Sequence, residues 1–470
     1  MKLNSSSSLA LFLLALSLIM QTLLAQSVPA KLSPQQQLAR DIFREVIEIN
    51  TTMNVGSTKA AEAMMARLKA AGFAESDMAL VGPRPQNKNL VVRYHGTGLH
   101  RPIVLIAHLD VVEALRADWS FDPFTFLEKD GFFYGRGTSD MKCEVADIVA
   151  NFIRLKKEGF VPSRDIILAL TEHEENGDAN GVEWLLANRR DLIDAEFGIN
   201  LEGGGGDIQK GKPILMEVQT SEKVYVSFQL EVKNKGGHSS MPVKENAIYR
   251  LAAGLTRLSQ FEFPVRLNET TRTFFERMSR REEGQTKSDM LAILKTPLDN
   301  AAANRLAAVK PYYNALMRTT WIPTMLSGGH AENALPQSAR AVVNCRMLPD
   351  DSAENVFAAL HRVLADSQII VTQIAPARPG PLSLLRKDVM DAVEQLTTSM
   401  WPGVTVTPIM STGASDGKFL RAAGIPVYGV SGIFADIDDV RAHGRDERIG
   451  VKEFYDGVDF TYQFIHLLNQ

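Results

Sequence analysis

Residues 103–110, IVLIAHLD, run five consecutive apolar residues into a histidine, with an aspartate two residues on. Two more stretches repeat that arrangement. Residues 165–175, DIILALTEHEE, end on Glu174 and Glu175, and residues 197–206, FGINLEGGGG, carry Glu202 just past their apolar part. Short continuous apolar runs are the mark of strands buried on both faces of a parallel sheet, and such sheets bind ligands outside the carboxyl ends of their strands. Chemistry is therefore expected where these runs stop, with His108, Asp110, Glu174, Glu175 and Glu202 gathered at one edge.

The surrounding pattern agrees. Ser33 followed by Pro34 opens a helix over residues 33–50, and Ser57 and Gly72 bracket a second. Strands at residues 89–96 and 101–108, a helix at 140–158, a strand at 164–170, a helix at 181–193 and a strand at 197–203 alternate, which predicts an α/β fold with a mostly parallel sheet covered on both faces. Residues 223–234, KVYVSFQLEVKN, instead alternate apolar with polar residues, as a half-exposed antiparallel strand does. The α/β character returns after about residue 379. We therefore expect a catalytic domain formed by residues 32–221 and 379–470, interrupted by an α+β insert over 222–378 whose helical stretch 285–318 is extra helix.

Composition excludes several classes. A chain of 470 residues, 45% hydrophobic and 23% charged, can bury a large core. A formal net charge of −4 leaves no basic footprint for nucleic acid. Lys2 and the apolar run ALFLLALSLIM at 10–20 read as an export signal over residues 1–25, with cleavage after Ala25 or as late as Ala30, and an uncleaved anchor as the alternative. The mature protein is expected to be periplasmic or secreted, without a stable membrane span. Cys143 and Cys345 are too few for a disulfide framework and read as separate buried thiols.

Of nine histidines, His95, His100, His361 and His466 lack ligand spacing, and His173 and His330 merely neighbour the interesting motifs. His108 in HLD stands out, because a carboxylate two residues on can orient a metal-bound imidazole by accepting its other N–H. Asp140 lies in the Gly-rich turn GRGTSDMK at 135–142, and of the adjacent Glu174 and Glu175 one can bind metal while the other stays free.

Taken in order, HLDVV, DGFFYGRGTSDMK, TEHEENG, LEGG, KGGHSSMP, ENALPQSARAVVNCRMLP, STGASDGKFL and AHGRDERI resemble the M20 metallopeptidases, the group of glutamate carboxypeptidases, aminoacylases, desuccinylases and carnosinase-like dipeptidases. That resemblance implies two zinc ions per subunit, bridged by Asp140, with His108 and Glu202 completing one and Glu175 and His443 the other. It makes Glu174 the general base and Asp110 the orienter of His108. It further implies that the insert is a lid and dimerisation domain, that His238 stabilises the oxyanion in a neighbouring subunit's site, and that Asn333, Arg346 and Gly413 touch substrate. Cys143 departs from the family, which usually has glycine there.

The expected activity is zinc-dependent hydrolysis of an amide bond beside a free carboxylate, as a carboxypeptidase or dipeptidase, with N-acyl-amino-acid deacylation as the alternative. A metallophosphoesterase would want a His-x-His pair, which the chain lacks. An exported solute-binding protein without catalysis would need neither HLD nor a free glutamate beside a ligand glutamate.

Overall fold

The computed structural model describes residues 31–175 and 179–469. The expected export signal lies outside these residues.

In chain order the helices are α1 (Pro34–Glu48), α2 (Thr58–Ala70), α3 (Lys142–Glu158), α4 (Gly181–Asn188), α5 (Arg190–Ile193), α6 (Ala247–Ser259), α7 (Glu269–Ser279), α8 (Gly284–Ala292), α9 (Asn300–Val309), α10 (Pro311–Met317), α11 (Ala353–Leu364), α12 (Lys387–Met400), α13 (Gly417–Ala422) and α14 (Val451–Leu468). The strands of the first half are β1 (Met78–Arg84), β2 (Asn87–Tyr94), β3 (His100–His108), β4 (Leu127–Lys129), β5 (Phe132–Tyr134), β6 (Arg164–Thr171), β7 (Phe197–Asn200), β8 (Gly205–Gln209) and β9 (Lys212–Glu222). Those of the second half are β10 (Val224–Lys233), β11 (Gly237–His238), β12 (Thr320–Gly328), β13 (Ala334–Leu335), β14 (Ser338–Met347), β15 (Ile369–Gln373), β16 (Thr405–Ser411), β17 (Val427–Gly429), β18 (Phe434–Asp436) and β19 (Arg448–Gly450).

Helix α1 starts as its cap dictates. Ser33 Oγ accepts from Gln36 N at 3.1 Å while Gln36 Oε1 accepts from Ser33 N at 3.0 Å, which satisfies two amide groups that the first turn of α1 would otherwise orphan.

The apolar runs do become the middle of a sheet. A ten-stranded sheet runs β1-β2-β6-β3-β7-β17-β9-β8-β18, with β16 beside β9. It is mixed, but β6, β3, β7 and β17 form a parallel centre. Ile103, Leu105 and Ala107 of β3 face a core shared with α1, α2, α3, α12 and α14, whereas Val104 and Ile106 face a second core with α4, α5 and α13. Burial on both faces is why β3 reads as continuously apolar rather than alternating.

The alternating run 223–234 becomes β10, antiparallel to β14 and β15. Together with β12 they form a four-stranded sheet, order β12-β14-β10-β15, whose apolar face packs on α6 and α11. The helical stretch expected as extra helix within the insert behaves differently. Helices α7 to α10 build a core of their own around Phe274, Phe275, Met290 and Leu306 that takes in Ile409 and Met410 of β16, so by packing they sit on the large sheet. Chain order alone hides this, because the apolar faces of these helices do not reveal which sheet they cover.

Cys143 and Cys345 are buried and unbridged, as expected. No helix among the described residues is long and apolar enough to cross a membrane.

Candidate metal and substrate site

The adjacent strands β6, β3 and β7 deliver their residues to one place. His108 is the last residue of β3 and lies opposite Thr171, the last of β6, while Ile106 lies opposite Asn200, the last of β7. Glu174 and Glu175 follow β6 and Glu202 follows β7, so all three leave the same sheet edge. Gly204 (φ +74°) lets this crossing occur, since a Cβ there would sit 2.4 Å from Glu217 O and 2.6 Å from Gly429 O.

Asp140, in the turn before α3, stands between two imidazoles. Its Oδ1 is 3.2 Å from His108 Nε2 and its Oδ2 is 3.1 Å from His443 Nε2. His443 Nε2 is also 2.9 Å from Glu175 Oε1. Ligand atoms of His108, Glu174 and Glu202 lie within 4.8 Å of one another, as do those of His108, Asp140 and Glu175. All five residues expected to hold metal are thus brought together, with Glu174 among them.

Asp110 holds this arrangement from beneath. Its Oδ1 accepts from Glu174 N and its Oδ2 from Glu175 N, each at 3.1 Å. The atom nearest His108 Nδ1 is the Asp110 main-chain oxygen at 3.0 Å, with the carboxylate Oδ1 at 3.7 Å. The side chain expected to orient the imidazole therefore chiefly fixes the Glu174–Glu175 turn.

The electrostatics of the polypeptide alone call for cations. Burial pushes Glu174 up to about 8, with the charges of Asp416, Glu175 and Asp110 adding to it against His108. Burial likewise pushes Glu175 up to about 7, helped by Asp140, and raises Glu202 well above the usual carboxylate range, helped by Glu174. The Asp140 hydrogen bond lifts His443 to about 9. Glu202 Oε2 is buried with no hydrogen-bond partner among the described residues. Clustered carboxylates, an orphaned buried oxygen and two imidazoles are a donor set that fits zinc.

Two contributors were not singled out in the sequence. Glu447, fully buried, accepts five hydrogen bonds: from Arg136 Nη1 (2.6 Å), Gly137 N (3.0 Å), Ser139 N (2.7 Å), Ser139 Oγ (3.0 Å) and Asp140 N (3.1 Å). It shares its loop with His443, so one carboxylate ties together the segments carrying two of the site residues. Asp416 accepts from Asn180 Nδ2 at 2.5 Å and Thr171 Oγ1 at 2.9 Å, fixing the loop after β16 to the end of β6. Their only sequence signal was membership of the motifs AHGRDERI and STGASDGKFL.

Arg346 and Gly413 line a cleft of about 610 Å³ that also contains Glu174. Arg346 Nη1 donates to Thr412 O at 3.4 Å, and its guanidinium lies 4.9 Å from the Tyr225 ring centroid. His238 and Asn333 lie elsewhere. His238 is a rung of the β11–β13 ladder, opposite Ala334, and Asn333 directly precedes β13; both are exposed, with His238 Nδ1 2.8 Å from Ser240 Oγ and Asn333 O accepting from Ser239 N at 3.1 Å. Among the described residues no hydrogen bond or ion pair joins either to the cluster.

An α/β sheet with histidines and carboxylates at its carboxyl edge defines a class, hydrolases that work through bound metal. Within it the model of Peptidase family M20/M25/M40 matches residues 104–467, and the chain belongs to that family. It is 29% identical over 378 residues to the human N-fatty-acyl-amino acid synthase/hydrolase PM20D1, covering 78% of this chain and 74% of that protein. It is 30% identical over 396 residues to a probable carboxypeptidase S-like 2 of Dictyostelium discoideum, covering 81% and 74% respectively. Among solved structures it resembles an M20 family metallo-carboxypeptidase from Sulfolobus solfataricus, with a TM-score of 0.67 and 17% identity over 92% of this chain and 99% of that one.

Proposed function

We propose that this M20 family hydrolase is an exported enzyme that cleaves an amide bond beside a free carboxylate, using two zinc ions held by His108, Asp140, Glu175, Glu202 and His443. The observation that carries this reading is Asp140, whose two oxygens face His108 at 3.2 Å and His443 at 3.1 Å. When bound, the ions would supply Lewis-acid polarisation of the scissile carbonyl and an acidified water. Glu174 takes the proton of the attacking water on its carboxylate and releases it to the leaving nitrogen. Its backbone is fixed for this by Asp110. Arg346, at the cleft wall, grips the substrate carboxylate through its fork.

A peptide substrate is the first choice and an N-acyl amino acid the second, the latter favoured by the similarity to PM20D1. The insert acts as lid and dimer interface. Supporting this, edge strand β12 exposes Ile322, Met325 and Leu326, and α6 exposes Tyr249, an apolar strand edge of a kind that isolated proteins avoid leaving bare. His238, remote from its own chain's cluster, then serves the partner's site by stabilising the oxyanion.

Chelation should abolish hydrolysis of a panel of dipeptides and N-acyl amino acids, and zinc should restore it at close to two ions per chain by elemental analysis. A fully active metal-free preparation would end the proposal.

A further inference from the structure

The cleft beside Glu174 is lined by four basic side chains, Lys223, Arg346, Arg378 and Lys418, and by only two carboxylates, Glu174 and Glu222. Some of these charges are already answered. Glu222 accepts from Arg421 at 2.6 Å and from Ser415 N at 2.7 Å, and Arg378 meets Glu183 at 2.5 Å. Lys223 is buried, donates to Arg318 O at 2.5 Å, and is pushed down to about 7 by burial and the neighbouring charge of Arg346.

Two cations remain. Arg346 contacts a carbonyl and a tyrosine ring, and Lys418 Nζ lies 4.8 Å from the Phe419 ring centroid. Neither has a carboxylate within ion-pair distance among the described residues, although the charge of Lys418 reaches Glu222 and Asp416 and favours their ionised forms. Lys418 is also held in place: it follows Asp416, which is anchored by Asn180 and Thr171, and Gly380 packs so closely on it that a Cβ there would lie 2.9 Å from Lys418 Cα and O. One guanidinium suffices for one carboxylate, so a monocarboxylate leaves the second cation in a concave wall, where like charges focus their field, with only Glu222 and Asp416 near it, both already bonded elsewhere.

We propose that the substrate carries two carboxylates, one beside the scissile bond held by Arg346 and a second, on the amino-acid side chain or on the acyl group, received by Lys418. This rests on the hydrolase reading above, and its test is a binding measurement so that the two stand or fall separately.

Zinc-loaded Glu174→Gln protein, which should not turn its ligands over, is titrated calorimetrically with N-acetyl-L-glutamate against N-acetyl-L-glutamine. N-succinyl-L-glutamine against N-acetyl-L-glutamine forms the second arm. Each pair differs by one negative charge, the first exchanging a side-chain amide for a carboxylate and the second adding a carboxymethyl group to the acyl chain. At least one dicarboxylate should bind about tenfold or more tightly than its monocarboxylate counterpart, the scale of one charged hydrogen bond. That ratio should collapse towards unity when Lys418→Met is added, with unfolding temperature and zinc content kept, and should survive Lys157→Met, at an exposed position on α3. Equal affinities within both pairs, or a preference that survives Lys418→Met, would overturn the inference even if the unsubstituted enzyme hydrolyses N-acetyl-L-glutamine well. A Lys418-dependent preference in a protein that hydrolyses none of these compounds would instead support the anion site and count against the hydrolase reading.

Discussion

Glu174 and Glu175 are adjacent, yet they leave their turn towards different partners. Only Glu175 pairs with His443. Glu174→Gln should therefore keep its metal while kcat falls by at least ~10²-fold, the lower range for losing general acid–base catalysis. Glu175→Ala should lose metal as well. Equal metal loss in both, measured by elemental analysis, would mean the roles are misassigned. The histidines make a second prediction at this scale. His108 is held well above 6.5, against burial, by the Asp140 hydrogen bond and nearby carboxylates, and His443 is lifted to about 9. His443 therefore carries a proton at pH 7 in the metal-free protein, and His108 is shifted the same way, so metal binding must compete with protons. Zinc affinity should rise with pH up to about 9 and fall below it, with protons released on binding, as calorimetry in buffers of different ionisation enthalpy would read. Affinity flat between pH 6 and 9 would contradict this. Asp110 shows the limit of reading residues singly. Its place two residues after His108 was legible, but its grip on two amides across the site depends on how the loop after β6 folds back.

Two loops carry Asp140 and His443, and their joint is Glu447. Its carboxylate meets Arg136 with both side chains nearly inaccessible, at 3% and 0% exposure. Disrupting such a buried pair typically costs about 3–5 kcal/mol, because the remaining charge stays buried. Glu447→Gln should therefore lower the unfolding temperature and weaken zinc retention together, although Glu447 itself is no ligand. Unchanged zinc retention would show that the loops hold their shape without it. The four-stranded sheet offers its own test. Arg346 lies opposite Tyr225 on β10, half-buried. Lys cannot reproduce its planar fork, so Arg346→Lys should raise KM strongly. Amidating the substrate carboxylate should then harm the parent enzyme far more than the variant, whereas equal losses would show that Arg346 does not read that carboxylate.

At the scale of the molecule, His238 and the cluster belong to different sheets and do not meet within one chain. If two copies join through β12 and its neighbours, mixing His238→Ala with Glu174→Gln protein should regenerate part of the activity, since a hybrid dimer holds one site with both residues intact. Native mass spectrometry would verify the exchange. No recovery in verified hybrids would confine His238 to its own chain or remove it from the reaction.

The burial of the central strands on both faces, the residues at their carboxyl ends and the change to an antiparallel segment were all written in local pattern, whereas the order of the strands was not. Apolar runs, caps and alternation each reflect a neighbour within a few residues or a face of the same strand. What only the tertiary structure decided were relations between segments far apart in the chain. The helices of residues 269–317 cover β16 rather than the four-stranded sheet, Glu447 reaches back to Arg136 and Asp140, and Lys418 joins Arg346 in one cleft. Each rests on packing or hydrogen bonds spanning many tens to hundreds of residues, whose partners no local periodicity encodes.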